Sequence, residues 1–429
     1  MRPIPKAPFH RRILPVIFVI VFITVAPVVL FYTAGYRWNP KKGKVERNGT
    51  VIIDSTPTNA SISIDGQISK DRTPVTFQEI VPGSHHFSVS LDGYFPWSKA
   101  LDVYAERVTF ANSIILWKRL APQFILATTS TFMSSAQTGS SLLTGEDARQ
   151  ITIYDSSAGQ TRSLKLTDDM ARPELVSWTD NGRYALVEAG QTNWLIDSFG
   201  RQEALKLPPG FYRFVGSQIV GTEKNSLLNI NLSDFSLKRE IMSGGVSDKS
   251  ESSELITATG THDLIYVAQN RPREGLVLQP GNWRYWSTAR DHVLLRDGNR
   301  WMALQANKKP PEYHTAIGAL PMSLLIQRET HYLLVNDTEL WLWNPLQDPE
   351  LIFRQSDKIL GAAWHRTGND VFFATAKSVY ALNLDTRDGR SLTDLADFDL
   401  IRGFAQNNDK LLILGTKNGE QGLWQVDYE

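Results

Sequence analysis

The adjacent imidazoles His85 and His86 are the first groups in this chain that invite a metal ion. They enter an alternating run that continues Phe87-Ser88-Val89-Ser90-Leu91. Neighbours on a strand point to opposite faces, so regular geometry denies one ion both rings. His262-Asp263 has the residue types of a general base and its orienting carboxylate. It stands in a polar turn, however, where solvation is the favoured reading, and Asp168-Asp169 reads as a loop edge. Gly-x-Ser-x-Gly, His-Glu-x-x-His and the P-loop pattern are absent. That removes the main support for a nucleophile-elbow hydrolase, a zincin or nucleotide-phosphate chemistry. The chain has no cysteine, which excludes disulfides, thiol nucleophiles and thiolate-bound metals. The expectation is a chain without catalytic residues, metal ligands or cofactor.

Aromatic residues offer more. Among the twelve tryptophans, Trp283 and Trp286 flank Arg284 and Tyr285. Such a cluster can stack on a sugar or grip a protein partner, although core packing is the favoured reading. Trp178 and Trp364 recur in one local pattern, which points to packing between repeated units.

The elements that must position these groups begin with an apolar span. Ile13–Ala34 holds twenty-two residues without a charge. As a helix it covers about 33 Å, enough for a bilayer's hydrocarbon core. The run exceeds the apolar region of a cleaved signal and lacks its small-residue exit. It is expected to remain as an anchor. Tyr32, Tyr36 and Trp38 suit the aromatic belt at headgroup depth, with Arg11, Arg12 and Arg37 as flanking cations. Basic residues are nearly balanced across the span, so charge alone does not orient it. A short basic leader before a first span generally stays inside while the long remainder is exported. The expected order is a cytoplasmic tail (1–12), a membrane helix (13–34), a juxtamembrane linker (35–48) and an extracytoplasmic body. Lys plus Arg equals Asp plus Glu at 45 each, leaving no net field to recruit nucleic acid.

Residues 49–118 read as a compact antiparallel β-sandwich. Val51–Asp54 and Ala60–Asp65 are strand-like, and Asp65-Gly66 supplies a hairpin turn. Thr73–Phe77 and His86–Leu91 follow, separated by Val81-Pro82-Gly83. Ser55-Thr56-Pro57-Thr58-Asn59-Ala60, then Thr73-Pro74, Pro82-Gly83 and Gly93-Tyr94-Phe95-Pro96-Trp97, resemble the PEGA domain. In the naming motif Thr58-Asn59 replaces the glutamate and glycine. The resemblance implies a surface-associated, non-catalytic module of the kind found beside membrane anchors, with no binding residues to transfer.

Residues 120–429 carry a weak internal repeat. Val176–Gly182 aligns with Ala362–Gly368, both with Trp-x-x-x-Gly. Apolar strands follow at matching offsets, Ala185–Val187 against Val371–Phe373 and Trp194–Asp197 against Tyr380–Asn383. Four strands in this length is the size of a β-propeller blade, which buries its faces only by stacking on neighbours. Ile151–Asp155 and Trp341–Asn344 read as third strands, Leu264–Ala268 and His292–Arg296 as second strands. Leu411–Leu414 with Leu423–Val426 reads as a closing copy. Seven or eight blades are expected, with a β-sandwich array as the rival fold. The unit resembles the WD-repeat-like and Tol-type propellers of exported bacterial proteins, without their Trp-Asp and Gly-His signatures.

The chain is thus expected to be mainly β and held at the cell membrane by one helix. Its propeller is expected to bind an envelope protein or polysaccharide without catalysis. The alternatives are an exported hydrolase or lyase acting on polysaccharide, with carboxylates meeting at the propeller mouth, or an envelope-protein assembly factor.

Overall fold

The computed structural model describes residues 9–429 apart from residue 34, residues 40–42, residue 408 and short stretches within 137–346. Among the described residues one helix, α1 (Phe9–Thr33), precedes a succession of strands. The chain divides into two compact units. The first is Met1–Arg119 with Asp385–Arg390 and Glu429; the second is Leu120–Leu384 with Ser391–Tyr428.

In the first unit, β1 (Tyr36–Asn39) and β2 (Lys44–Arg47) form an antiparallel hairpin. The segment read as a linker therefore carries structure of its own. Beyond it lie β3 (Gly49–Thr56), β4 (Ser61–Ile64), β5 (Gln67–Arg72), β6 (Val75–Ile80), β7 (Gly83–Ser90), β8 (Trp97–Val103) and β9 (Val108–Ile115). They form two sheets, β5-β4-β7-β8 and β6-β3-β9. Val51, Ile53, Ile62, Phe87, Val89 and Leu101 fill the space between them. β3 alternates buried and half-buried residues along its length, as a strand covered on one face should. Asp65 and Gly66 both take positive φ, 49° and 81°, the geometry of a two-residue hairpin turn. The sandwich is not wholly antiparallel, as the alternation had suggested, because β3 and β9 run parallel. Direction leaves no mark on side-chain alternation, so that pattern could not reveal it.

The residues carrying the family resemblance have a structural reason. Ser55 and Thr73 are buried hydroxyls 2.7 Å apart. Ser55 donates to the Pro57 carbonyl, and the Thr73 oxygen accepts the Ala60 N–H. Each buried hydroxyl is thereby satisfied where the chain turns between the sheets.

The second unit contains eight sheets among the described residues. Seven are consecutive in sequence: blades 1 (132–165), 2 (175–207), 3 (211–241), 4 (246–277), 5 (284–316), 6 (324–354) and 7 (361–397). Blade 8 combines three strands from 400–427 with β10 (Gln123–Ala127), which pairs with Glu420–Asp427. The unit's first strand thus completes its last blade. The strand Phe132–Ser135 of blade 1 also packs on Leu400–Asn407 of blade 8. The second unit is thus a β-propeller with eight blades among the described residues, the last of which is completed by the unit's first strand.

Apolar clusters fill the spaces between blades. Ile151, Ile153 and Leu164 of blade 1 meet Val187, Trp194 and Ile196 of blade 2, with Trp178 against them. Leu333, Val335 and Leu340 of blade 6 meet Trp364, Val371 and Phe373 of blade 7. Trp178 and Trp364 thus serve blade-to-blade packing, and Trp178 also donates Nε1–H to Ser134 of blade 1 at 3.1 Å. The two repeat copies share a turn. The Thr179 N–H donates to the Tyr184 carbonyl at 3.0 Å and the Gly182 N–H to the Thr179 carbonyl at 2.8 Å. His365, Asp370 and Gly368 repeat this at 3.0 and 2.9 Å. Gly182 and Gly368 sit at φ 66° and 79°, where a side chain is disfavoured. One strand assignment is corrected: Asp263–Ala268 is the third strand of blade 4, not the second. The strand Val246–Lys249 is too polar to announce itself.

Candidate functional site

The sequence offers two candidate regions, the apolar span with its exit and the tryptophan cluster. The side chains of Pro15–Thr33 are exposed along the helix, including Phe18, Phe22, Leu30 and Tyr32 at 60–71%. Nothing in the described fold buries this helix, which excludes its use as a core element. Thr24 and Thr33 turn their hydroxyls onto the Ile20 and Leu30 carbonyls, at 2.8 and 3.1 Å. That removes the polar groups a bilayer would penalise. The helix ends where Gly35, at φ 83°, donates to the Tyr32 carbonyl. Tyr36 then packs edge-on against Phe31, with ring centroids 5.3 Å apart, and Arg47 lies over the Tyr36 ring. Arg37 and Trp38 follow on β1, and Arg11 and Arg12 lie in the first turns of α1. Of the expected interfacial residues, the structure thus gathers Tyr32 and Tyr36 at one end of the helix and adds Arg47 to them.

In the tryptophan cluster, Arg284, Tyr285 and Trp286 lie on the first strand of blade 5, while Trp283 lies outside the described residues. The pairing of that strand slips between Tyr285 and Ser287, which places Trp286 in a β-bulge. Bulges re-aim side chains and are common beside binding sites.

Of the residues that suggested chemistry, His85 is engaged within the sandwich, and His86, on the opposite side of the strand, is exposed and donates its backbone N–H to Asp65 Oδ1 at 2.9 Å. His85 Nδ1 is 2.7 Å from Asp65 Oδ2, and its Nε2 is 2.6 Å from the Val81 carbonyl. With both ring nitrogens engaged, His85 has none to offer a metal. His262, Asp168 and Asp169 lie outside the described residues, and Asp263 begins a strand. No group of three potential metal ligands occurs among the described residues.

Three polar centres were missed by sequence reading. Lys99 is only 2% exposed and donates to the carbonyls of Asp385, Arg387 and Gly389 at 2.6, 3.1 and 2.9 Å. Burial lowers its pKa, while the nearby Asp385 carboxylate acts in opposition. Glu339 of blade 6 accepts from Arg354 on one oxygen and from Trp341 and Asn336 on the other. Burial would raise its pKa, but these donors hold it below the ordinary carboxylate value. His365 is fully buried, edge-on to Phe372 and Tyr428, and bonds Thr367 at 2.8 Å. Each is a knot of internal packing. The partners of Lys99 and Arg354 lie at sequence distances that no local motif reports.

Residues 48–114 match the PEGA domain family. The match covers the sandwich strands from β3 to most of β9. No curated protein matches the chain. Among solved structures, the chain is similar to the WD40 repeats of RRP9 at 10% identity and a TM-score of 0.48, covering 73% of this chain and 100% of that one. It is similar to BamB from Moraxella catarrhalis at 9% identity and 0.44, covering 72% and 99%. It is also similar to apo AztD from Citrobacter koseri at 12% identity and 0.46, covering 66% and 96%.

Proposed function

We propose that this chain is a non-enzymatic, membrane-tethered envelope protein whose propeller binds a protein or polysaccharide partner. The observation that carries the reading is the apolar span Pro15–Thr33, with no buried residue among those described, ahead of a β-rich body. An apolar face of that size left in water would be strongly unfavourable, and a bilayer is the medium that accepts it on every side. One such helix does not form a conduit, so its role is to hold the body at the membrane. The division into membrane helix (13–34), PEGA-like module (49–118) and propeller (120–429) follows from that role, with the large C-terminal part outside the cytoplasm. Eight blades present many loops on a stiff frame, an arrangement suited to recognition. The bulged strand bearing Arg284, Tyr285 and Trp286, with Trp283 before it, is the proposed contact region. The test is retention of an envelope protein or glycan by the full-length chain, immobilised in detergent and washed in envelope extract. Specific retention at near-stoichiometric level supports the reading. Recovery no greater than that of an unrelated single-helix protein contradicts it.

A further inference from the structure

Strand β8 ends and β9 begins at an exposed turn, Tyr104-Ala105-Glu106-Arg107, that lies beside the exit of α1. The link is a chain of backbone hydrogen bonds. The Asn48 N–H donates to the Gly35 carbonyl at 3.2 Å, and the Glu106 N–H donates to the Asn48 carbonyl at 3.1 Å. Two hydrogen bonds and one residue separate Gly35 from Glu106, a path of roughly 10 Å. The Thr50 N–H then donates to the Arg107 carbonyl at 3.0 Å, and Arg47 pairs with Glu106 at 2.8 Å. The turn is therefore fastened to the first segment after the helix, at Arg47 and Asn48.

Its side chains have the character of a headgroup contact. Tyr104 is 56% exposed and Val108 46%, and Phe110 continues the same outer face of β9 at 50%. Arg107 lies over the Tyr104 ring. The alternate residues Thr109 and Ala111 are buried, so the exposure of Val108 and Phe110 follows from strand alternation. A tyrosine, an arginine and two large apolar groups are the residue types that lie with ring and stem in the acyl boundary and polar tip among headgroups.

We infer that the Tyr104–Arg107 turn, followed by Val108 and Phe110, is a second contact with the bilayer interface from which α1 emerges. This rests on the reading of α1 as a membrane helix. The occupant is the lipid surface itself, because α1 ends at that surface and the turn lies within about 10 Å of its exit. The interfacial zone is about 5–8 Å deep on each side of the hydrocarbon core, and the long side chains of Tyr104 and Arg107 span the remaining separation. Depth should decline along β9, with Ala105 nearest the lipid and Phe110 further out. Thr58, in the exposed turn after β3, lies beyond the far end of a strand that runs about 20 Å from Thr50 to Thr56, and should remain in water.

The absence of cysteine makes a clean test. The full-length chain carrying Ala105→Cys or Thr58→Cys is labelled with a nitroxide and reconstituted into vesicles of phosphatidylethanolamine and phosphatidylglycerol. Collision with a water-soluble nickel chelate and with oxygen is then read by electron paramagnetic resonance. The expected result is a several-fold loss of chelate collisions at 105 relative to 58, with a rise in oxygen collisions. Adding Tyr104→Ser should partly restore chelate access at 105 while the protein still floats with the vesicles. Equal chelate access at both positions in floating protein overturns this inference and leaves the anchor intact. Equal shielding at both positions also overturns it, since lipid contact would then not be confined to the turn. Failure to float overturns the anchor reading and this inference with it.

Discussion

Glu339→Gln is the most informative single substitution in the propeller. The carboxylate is 8% exposed and accepts from Arg354 Nε at 2.7 Å, Trp341 Nε1 at 2.9 Å and Asn336 Nδ2 at 2.9 Å. Glutamine keeps the shape but can offer only one oxygen. If that oxygen faces Trp341 and Asn336, the new amide N–H₂ faces the Arg354 guanidinium, and donor meets donor. A buried polar group left without a partner costs about 1–3 kcal/mol. Arg354 is 63% exposed, so the lost ion pair itself adds only about 0–1 kcal/mol. The expected loss is about 1–4 kcal/mol, or a fall of about 2–6 °C in the melting temperature of the propeller. Arg354→Ala should cost less, because water replaces the guanidinium on the exposed side. Thermal melts followed by far-ultraviolet circular dichroism on the full-length chain give the comparison. A Glu339→Gln shift under about 1 °C, or a larger loss for Arg354→Ala, would refute the reasoning.

Other outcomes follow from the same geometry. Lys99→Met leaves three carbonyls of the Asp385–Arg390 loop without their donor; a loss of about 3 kcal/mol is expected, seen as faster amide hydrogen exchange across that loop. Trp364→Ala empties the space between blades 6 and 7 and should cost about 3–5 kcal/mol in denaturant unfolding. Gly422→Ala would drive a methyl into the Leu126 carbonyl and to 2.5 Å from the Phe124 ring, so limited proteolysis should release residues 123–127 from blade 8. The carboxyls of Glu339 and Asp385 are both held below their ordinary values, by donors that outweigh burial. Their contribution to stability is present above the unfolded-state value and lost as pH falls through the lowered folded-state value. Acid titration of the wild type should show this loss, and Glu339→Gln should flatten it.

Much of the architecture was legible because packing leaves periodic marks. The Trp-x-x-x-Gly turn repeats because blades need an anchoring ring and a glycine at positive φ in the same place. Ser55 and Thr73 mark the sandwich because their hydroxyls satisfy each other inside it. What escaped notice depends on contacts distant in sequence. Gln123–Ala127 reads as a stray apolar run until it meets residues 420–427, some three hundred positions later. Lys99 finds its carbonyl cage 286 to 290 residues away. The parallel pairing of β3 with β9 is silent because side-chain alternation carries no direction. The candidate contact region was visible as residue types only. The bulge at Trp286 arises from pairing with the next strand, which spacing alone does not disclose.

The central claim is that α1 supplies the tether and the propeller supplies the binding. One fractionation measures both, using the full-length chain and a variant lacking Phe9–Thr33, each exposed to membranes and envelope extract and quantified by mass spectrometry. Deletion is expected to abolish sedimentation with membranes while the retained partner or glycan stays at the wild-type level. Membrane association that survives deletion, or partner retention that disappears with the helix, would contradict it.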